Sequence, residues 1–442
     1  MVESPQSQNA LSPDELHEAW AVLSVDERLE GFRLLPAAVA DDFFLGLSAR
    51  EQGELILSLP PAERRTWVRL LPPDDLADLV QAVEPEQVDA ILSQLDDASR
   101  REVNVLLAYS EDDAGGLMNP RFARVRPDMS IDEAIGYLRK QAREKVETVY
   151  YAYVLDAEQR LQGVLSLRQL FQAAPDKRVA DVMIRDVITV AENTDQEAVS
   201  RTFSEHSFMA MPVVDEQRRM KGIVTVDDIV DVVQEEATED IQKVGGMEAL
   251  DAPYFDVGFM AMLKKRAGWL MVLFLGEMLT ATAMGYFEHE IARAVVLSLF
   301  IPLIISSGGN SGSQATTLII RSLALSEMRL KDWWRVARRE LSTGLALGAV
   351  LGVVGFLRVM AWQALFHSYG DHAFLIGMTV GVSLVGVVIF GTLSGSMLPF
   401  ILRRVGFDPA SASAPFVATL VDVSGLVIYF TAASLFLSGT LL

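Results

Sequence analysis

From residue 11 to residue 95 an apolar side chain returns at every twelfth position: Leu11, Leu23, Leu35, Leu47, Leu59, Leu71, Val83 and Leu95. Most are followed by Ser or Pro and then an acid, as in LSPDEL, LPPAER and LPPDDL. Ser caps the first free N–H groups of a helix, Pro presets the first helical φ, and early acids favour the positive end of the helix dipole. The period therefore predicts short helices stacked in a superhelix, each burying its apolar stripe on the next. A second, longer repeat spans 116–235, where LQGVLSLRQLF (161–171) matches MKGIVTVDDIV (220–230), and YYAYVLDAEQ matches FMAMPVVDEQ. Each copy predicts a helix, an alternating strand, a polar turn, a β-branched strand and another helix. Residues 228–262 begin as a long acidic amphipathic helix and end at Gly245, Gly246 and Pro253, which predicts a linker into the last part of the chain.

That last part holds five apolar segments, at about 268–287, 291–320, 341–366, 373–402 and 412–441, each near or above the ~20 residues that cross a bilayer as a helix. The basic flanks LKKR (263–266), RLKDWWRVARR (329–339) and RR (403–404) fall on one side, EHE (288–290) and HSYGDH (367–372) on the other. By the positive-inside rule the N-terminal domains are expected in the cytosol and the C-terminus outside a prokaryotic cell (inner) membrane. The expected divisions are a helical repeat domain (1–115), an α/β pair (116–235), a connecting helix (236–262) and a five-span domain (263–442).

Composition sharpens this division. Residues 1–260 hold 50 of the 59 acids and 25 of the 38 Lys and Arg, a formal charge of −25, whereas residues 261–442 carry +4. The mean hydropathy of +0.26 is thus an average over an acidic, water-facing half and an apolar half. So acidic a surface argues against nucleic acid as partner and favours cations. With no cysteine there is neither a disulfide framework nor a thiolate metal site,. The opening MVESPQSQNA lacks the basic and apolar regions of a cleaved signal,.

Two membrane segments carry candidate chemistry. FVATLVDVSGLVIYF (416–430) places Asp422 in the middle of a span, with no basic residue in that span to pair with it. A charge there costs roughly 2.5–3.5 kcal/mol on insertion scales, so such residues face protein, water or an ion. A single acid suffices if two subunits meet, because twofold symmetry doubles it. IPLIISSGGNSGSQATTLIIR (301–321) carries Pro302, Gly308, Gly309, Asn310, Gly312, Ser313 and Gln314. This pattern predicts a broken helix lining a pathway; close packing through small residues is the alternative.

The two G-[VI]-[LV]-[ST] strand motifs resemble a tandem pair of cystathionine-β-synthase (CBS) domains, regulatory modules that dimerise and often bind adenosine ligands. The whole order, with SGGNSGSQ and DPASASAPFVATLVDVSGL, resembles the MgtE family of magnesium channels over essentially the full chain. The resemblance implies a homodimer in the membrane lipid, with a central pore that admits Mg2+ still carrying much of its water. It places the pore aspartate at Asp422, with the Ala418 carbonyl one turn earlier. It makes the acidic connecting helix a plug that closes the cytosolic end of the pore. Regulatory Mg2+ would then be held by counterparts at Asp408, Asp240, Glu239, Glu236, Asp231, Asp228, Asp78, Asp74 and Asp42.

Physics supports such a gate independently. Two carboxylates 4 Å apart repel by about 4 kcal/mol at an effective dielectric of 20, so acidic faces dock only with counter-ions between them. Asp408 before Pro409 reads equally as a helix cap, the connecting-helix acids as a solvated face, and the repeat acids as helix starts. Ser207 stands where relatives can place an acid, which weakens one bridging site. Thr225 and Asp228 have a spacing used for ribose contact, hence for ATP, and equally one that caps the next helix. The rival functions are a CBS-regulated anion channel or transporter and a non-conducting nucleotide sensor. Asp422 and the acidic EHE mouth oppose the first, and a polar second span is surplus to the second. No phosphate loop and no histidine ligand spacing point to an enzyme,. The role of Glu277, in the first span, stays open between pore lining, pairing across a dimer and a neutral buried acid.

Overall fold

A computed structural model describes residues 12–20, 22–143, 146–250, 252–255, 257–325 and 327–441. Leu11, the first of the twelve-residue series, lies outside the described residues. The chain divides into two compact units, one up to Gln234 and one from Glu235.

Among the described residues the first unit opens with nine short helices: α1 (Pro13–Trp20), α2 (Val25–Leu34), α3 (Ala37–Leu45), α4 (Ala49–Ser58), α5 (Pro61–Val68), α6 (Pro73–Ala82), α7 (Val88–Leu92), α8 (Asp97–Leu106) and α9 (Ala114–Leu117). The first six start twelve residues apart, and the caps explain why. Ser24 and Ser48 close capping boxes with Glu27 and Glu51, Pro36, Pro60 and Pro72 precede helix starts, and Asp96 accepts from the N–H groups of Ala98 and Ser99,. The repeated apolar residue falls one to three positions past a helix end and turns inward: Leu35, Leu47, Leu59, Leu71 and Leu95 are buried.

Two three-stranded sheets follow, built alike. Strands β1 (Arg124–Val125), β2 (Tyr151–Leu155) and β3 (Leu161–Ser166) form one, with helices α10 (Ile131–Gln141), α11 (Leu167–Gln172) and α12 (Val179–Val182). Strands β4 (Val190–Ala191), β5 (Ala210–Val214) and β6 (Met220–Thr225) form the other, with α13 (Gln196–His206) and α14 (Val226–Val244). In each sheet the short first strand runs parallel to the second, which pairs antiparallel with the third. The segments entering each half are exchanged: Asn119 pairs with Ile223 on β6, and Ile184 with Val164 on β3. Gly222 and Gly163 stand at these crossings, where a Cβ would strike the Asn119 carbonyl and the Ile184 carbonyl. The core of the helical repeat continues through Met118 into Val190, Val199, Phe203, Met211, Val213 and Val224 of the second half, so repeat and sheet share one apolar interior.

The second unit contains α15 (Phe259–Tyr286), α16 (Glu288–Arg293), α17 (Ile301–Ala324), α18 (Trp333–Phe366), α19 (Ala373–Arg404) and α20 (Ala414–Leu437). Among the described residues five helical segments are long and apolar enough to cross a membrane, at Phe259–Tyr286, Val295–Ala324, Leu330–Phe366, Gly370–Arg404 and Ala414–Leu437. The first and third begin earlier than their apolar runs because Lys264 and Arg266, and Arg335, Arg338 and Arg339, continue the helix while facing out, and Lys265, half-buried, donates to the Ala249 carbonyl.

One expectation is corrected. The SGGNSGSQ segment is an unbroken helix: Pro302 sits in the first turn of α17, where its missing N–H has no partner to lose,. The glycines serve close packing instead. A Cβ at Gly391 would collide with the Gly308 carbonyl, and one at Gly395 with that of Gly312, so α17 and α19 meet backbone to backbone along paired small-xxx-small seams,. Thr316 fastens the seam by donating to the Gly395 carbonyl at 2.9 Å.

Candidate functional site

Asp422 stands in the middle of α20, half-buried. Among the described residues its carboxylate makes no hydrogen bond and meets no cation. The charge that reaches it is a like one, Glu277 of α15. α15 joins α20 where Gly276 admits Thr419, and Trp269 donates to Ser413, which caps α20, at 3.1 Å. Ala418 lies one turn before Asp422, and Gly309 of α17 packs against it. Beside this contact α17 turns a polar edge outward: Ser306, Asn310, Gln314 and Thr317 are exposed at helical spacing, with Asn310 donating to Ser306 at 3.5 Å. Gly308 and Gly312 face α19 and α20 within the protomer, so of the seven residues singled out on this helix Asn310 and Gln314 carry exposed polar groups, while Ser313 donates to the Ala414 carbonyl at 3.3 Å. Pro302 is exposed at the far end. α15 has no fully buried residue, although most of it is apolar.

The first unit gathers acids at the junction of α6, the start of α14 and the segment before β2. Asp74 is 6% exposed and accepts from the Asn119 amide at 3.1 Å. The same amide donates to Glu147 at 2.8 Å, while the Asn119 backbone holds β6, so one buried side chain ties two acids to the sheet. Burial, then Asp228, Asp75 and Glu147, pushes the Asp74 pKa well above its ordinary 3.8. Asp75 is raised to about 6 by burial and then by Glu147, Asp227 and Asp231. Asp228 is raised to about 7, chiefly by burial; hydrogen bonds from the Thr225 hydroxyl at 2.6 Å and N–H at 3.0 Å oppose this. Glu147 is raised too, by desolvation and by Asp227, against Arg121, which is itself paired with Glu102 at 2.7 Å. Thr225 and Asp228 thus perform the helix-start role for α14. Asp78 lies one turn after Asp74, half-buried, and Asp231 one turn after Asp227, exposed. Asp42 is exposed on α3, and its carbonyl accepts from Gly46 at the end of that helix.

In the second unit, Asp408 does two things. One oxygen caps the short 3-10 turn Pro409–Ser411 through the Ala410 N–H at 2.8 Å, and the other accepts from the Lys243 ammonium at 2.7 Å. Lys243 is also paired with Glu239, one turn earlier on α14. Burial works against its charge, but the two carboxylates outweigh that and hold its pKa up. Glu236 and Asp240 flank the pair, half-buried. Among the described residues no three His, Asp or Glu side chains stand in a ready-made metal-holding group.

Sequence reasoning missed Asn119 and Lys243. The i, i+4 spacing of Glu239 and Lys243 was a usable signal for half of the second; its contact with Asp408 spans 165 positions and left none.

Family models cover most of the chain: MgtE intracellular N domain at 11–112, CBS domain at 114–176 and 179–235, and divalent cation transporter at 301–432. The Magnesium transporter MgtE of Thermus thermophilus is 44% identical over 356 residues, 80% of this chain and 77% of its own length. That of Enterococcus faecalis is 35% identical over 336 residues, 76% and 72% of the two chains. A solved structure, the cytosolic domain of the Mg2+ channel MgtE in complex with ATP, is 43% identical, covers 50% of this chain and 90% of its own, and aligns with a TM-score of 0.47. Inosine-5'-monophosphate dehydrogenase of Aquifex aeolicus matches at 29% over only 30% of this chain, in the CBS part.

Proposed function

The chain belongs to the MgtE family, a family of bacterial multi-pass membrane transporters and not of enzymes, and from that premise we propose that it conducts Mg2+ through a pore centred on Asp422. The observation that carries this reading is a half-buried membrane carboxylate with no cationic partner among the described residues, next to the polar edge of Asn310 and Gln314. A charge so placed needs a compensating cation, and Mg2+ suits it because the ion keeps several waters and asks for only one or two carboxylates. The reading includes a homodimer: no residue of α15 is fully buried within the protomer, and a twofold axis near α17 and α20 would set two Asp422 carboxylates, the Ala418 carbonyls and the Asn310 edges around one path,. The N-terminus is placed in the cytosol, in line with the basic flanks and the family description of an intracellular N domain,.

Regulation follows from the acids. In this reading cytosolic Mg2+ binds among Asp74, Asp78, Asp228 and Asp231, with Asp42 as an outer contact. It also binds along the plug helix at Glu236, Glu239, Asp240 and Asp408, and the compact state it favours is the closed one. ATP is left as a secondary ligand of the CBS pair, with Thr225 and Asp228 engaged first at the start of α14. The test is Mg2+ uptake in cells lacking other importers. Asp422→Asn should lower it at least about tenfold, the factor equivalent to roughly 1.4 kcal/mol. Unchanged uptake, or chloride flux of equal size in liposomes, would overturn the proposal.

A further inference from the structure

At the start of α18 a shallow groove of about 600 Å3 is lined by Arg335, Arg338, Arg339, Leu341, Ser342 and Leu345. The adjoining stripe of this helix is committed to α19: Gly344 and Gly348 lie buried against Thr392, Ile389 and Val385. The groove side is left open, and its chemistry is graded along the axis. Trp333 and Trp334 are 49% and 65% exposed, the three arginines follow, and Leu341 and Leu345 come next at 48% and 53% exposed. Among the described residues none of the three guanidinium groups makes an ion pair, and Glu340 is the acid within reach, beside Arg339. Arg335 to Leu345 is a rise of about 15 Å along a helix, enough to pass from the headgroup layer into the acyl layer.

We propose that this groove binds the phosphate headgroup of an anionic phospholipid, with its acyl chains along Leu341 and Leu345. The argument is complementarity in two parts. Arginines present planar forks that match phosphate oxygens bidentately, and Trp residues mark the level of the headgroups. Basic pockets on membrane helices at that level select cardiolipin and related anionic lipids. The leucines decide the source of the phosphate: a free anion has no use for two exposed aliphatic side chains one to two turns deeper, whereas a lipid covers both. Ser342 donates to the Arg339 carbonyl at 2.7 Å and so keeps a compact polar floor between the two zones. The site rests on the membrane placement of α18 and makes no use of Asp422, so loss of Mg2+ conduction would not touch it.

The test uses the full chain, delipidated in detergent, with native mass spectrometry and thermal unfolding. Cardiolipin should be retained by the wild type and should raise its unfolding temperature, while phosphatidylcholine and inorganic phosphate at equal concentration should not. Joint Arg335→Gln, Arg338→Gln and Arg339→Gln replacement should weaken cardiolipin retention by about tenfold or more, and the three corresponding Lys replacements should keep part of it. Equal retention by the Gln variant, or equal stabilisation of the wild type by phosphatidylcholine or by phosphate, would overturn the proposal. Should the Gln variant not fold, the wild-type comparison among the three additives still decides.

Discussion

Two acidic assemblies in this molecule meet the same problem in opposite ways. In the first unit, Asp74, Asp75 and Asp228 are drawn together with Glu147 at hand, and their pKa values rise because burial and neighbouring acids disfavour the charged forms. In the second unit, Glu239 and Asp408 are also brought close, but Lys243 sits between them and pairs with both. Among the described residues the first arrangement has no ion pair to its most buried acids, Asp74, Asp75 and Asp228, and invites protons or a divalent ion. The second carries its own. A change of pH is therefore expected to act chiefly on the first, and a change of side chain on the second.

The largest effect should come from removing the resident cation. Lys243→Met leaves two partly buried carboxylates facing each other, and we expect a loss of about 2 kcal/mol in the unfolding of the second unit. That value sits between that of a broken buried pair and that of an exposed one, because the three groups are roughly one-third accessible. Thermal unfolding in detergent would show it, and added Mg2+ should restore part of the loss; no change would mean the lysine is incidental.

Next comes pH. Asp75 and Asp228 have folded pKa values of about 6 and 7, above their ordinary 3.8. A raised acid stabilises the folded state most fully below its unfolded pKa, and that contribution is lost as pH rises through the folded value. Without divalent ions, protease protection of the first unit should therefore fall between pH 5.5 and pH 8, and millimolar Mg2+ should recover it at pH 8. A flat profile would remove the contrast between the two assemblies. Asp74→Asn keeps the acceptor for Asn119 while deleting one of the repelling charges, so it should shrink that pH dependence; an unchanged slope would exclude Asp74 from the cluster's titration.

The smallest effect is a control. Ser207 ends α13 in the left-handed region, with φ 53°, where glycine carries no Cβ penalty,. Ser207→Gly should stabilise the first unit by about 0.5 kcal/mol, equally at pH 5.5 and pH 8 and with or without Mg2+. A Mg2+-dependent gain would instead tie position 207 to an ion site.

Much of the architecture was legible because local chemistry repeats. Capping Ser and Pro residues set the six helix starts, and uninterrupted apolar runs marked five spans. The α17 error shows the limit. Pro302 and four nearby glycine and asparagine positions read as a broken helix, since sequence does not reveal that Gly391 and Gly395 wait some 80 positions away to receive Gly308 and Gly312. The candidate sites were legible in residue type but not in pairing. Asp74 and Asp228 were both named, yet Asn119, which fixes Asp74, carries no pattern of its own, and Lys243 looked like an ordinary charge on an exposed helix.

The exchanged entry segments set an order on synthesis. Asn119 waits for Ile223 on β6, so the helical repeat and the first sheet leave the ribosome long before the strand that clasps them exists,. The first membrane helix begins at Phe259, only 34 residues after β6 ends at Thr225. Closure of the cytosolic clasp and delivery to the insertion machinery thus fall within the same few seconds of translation, at elongation rates of about 5–20 residues per second. A variant slow to form that clasp would reach the bilayer with its acidic head still open.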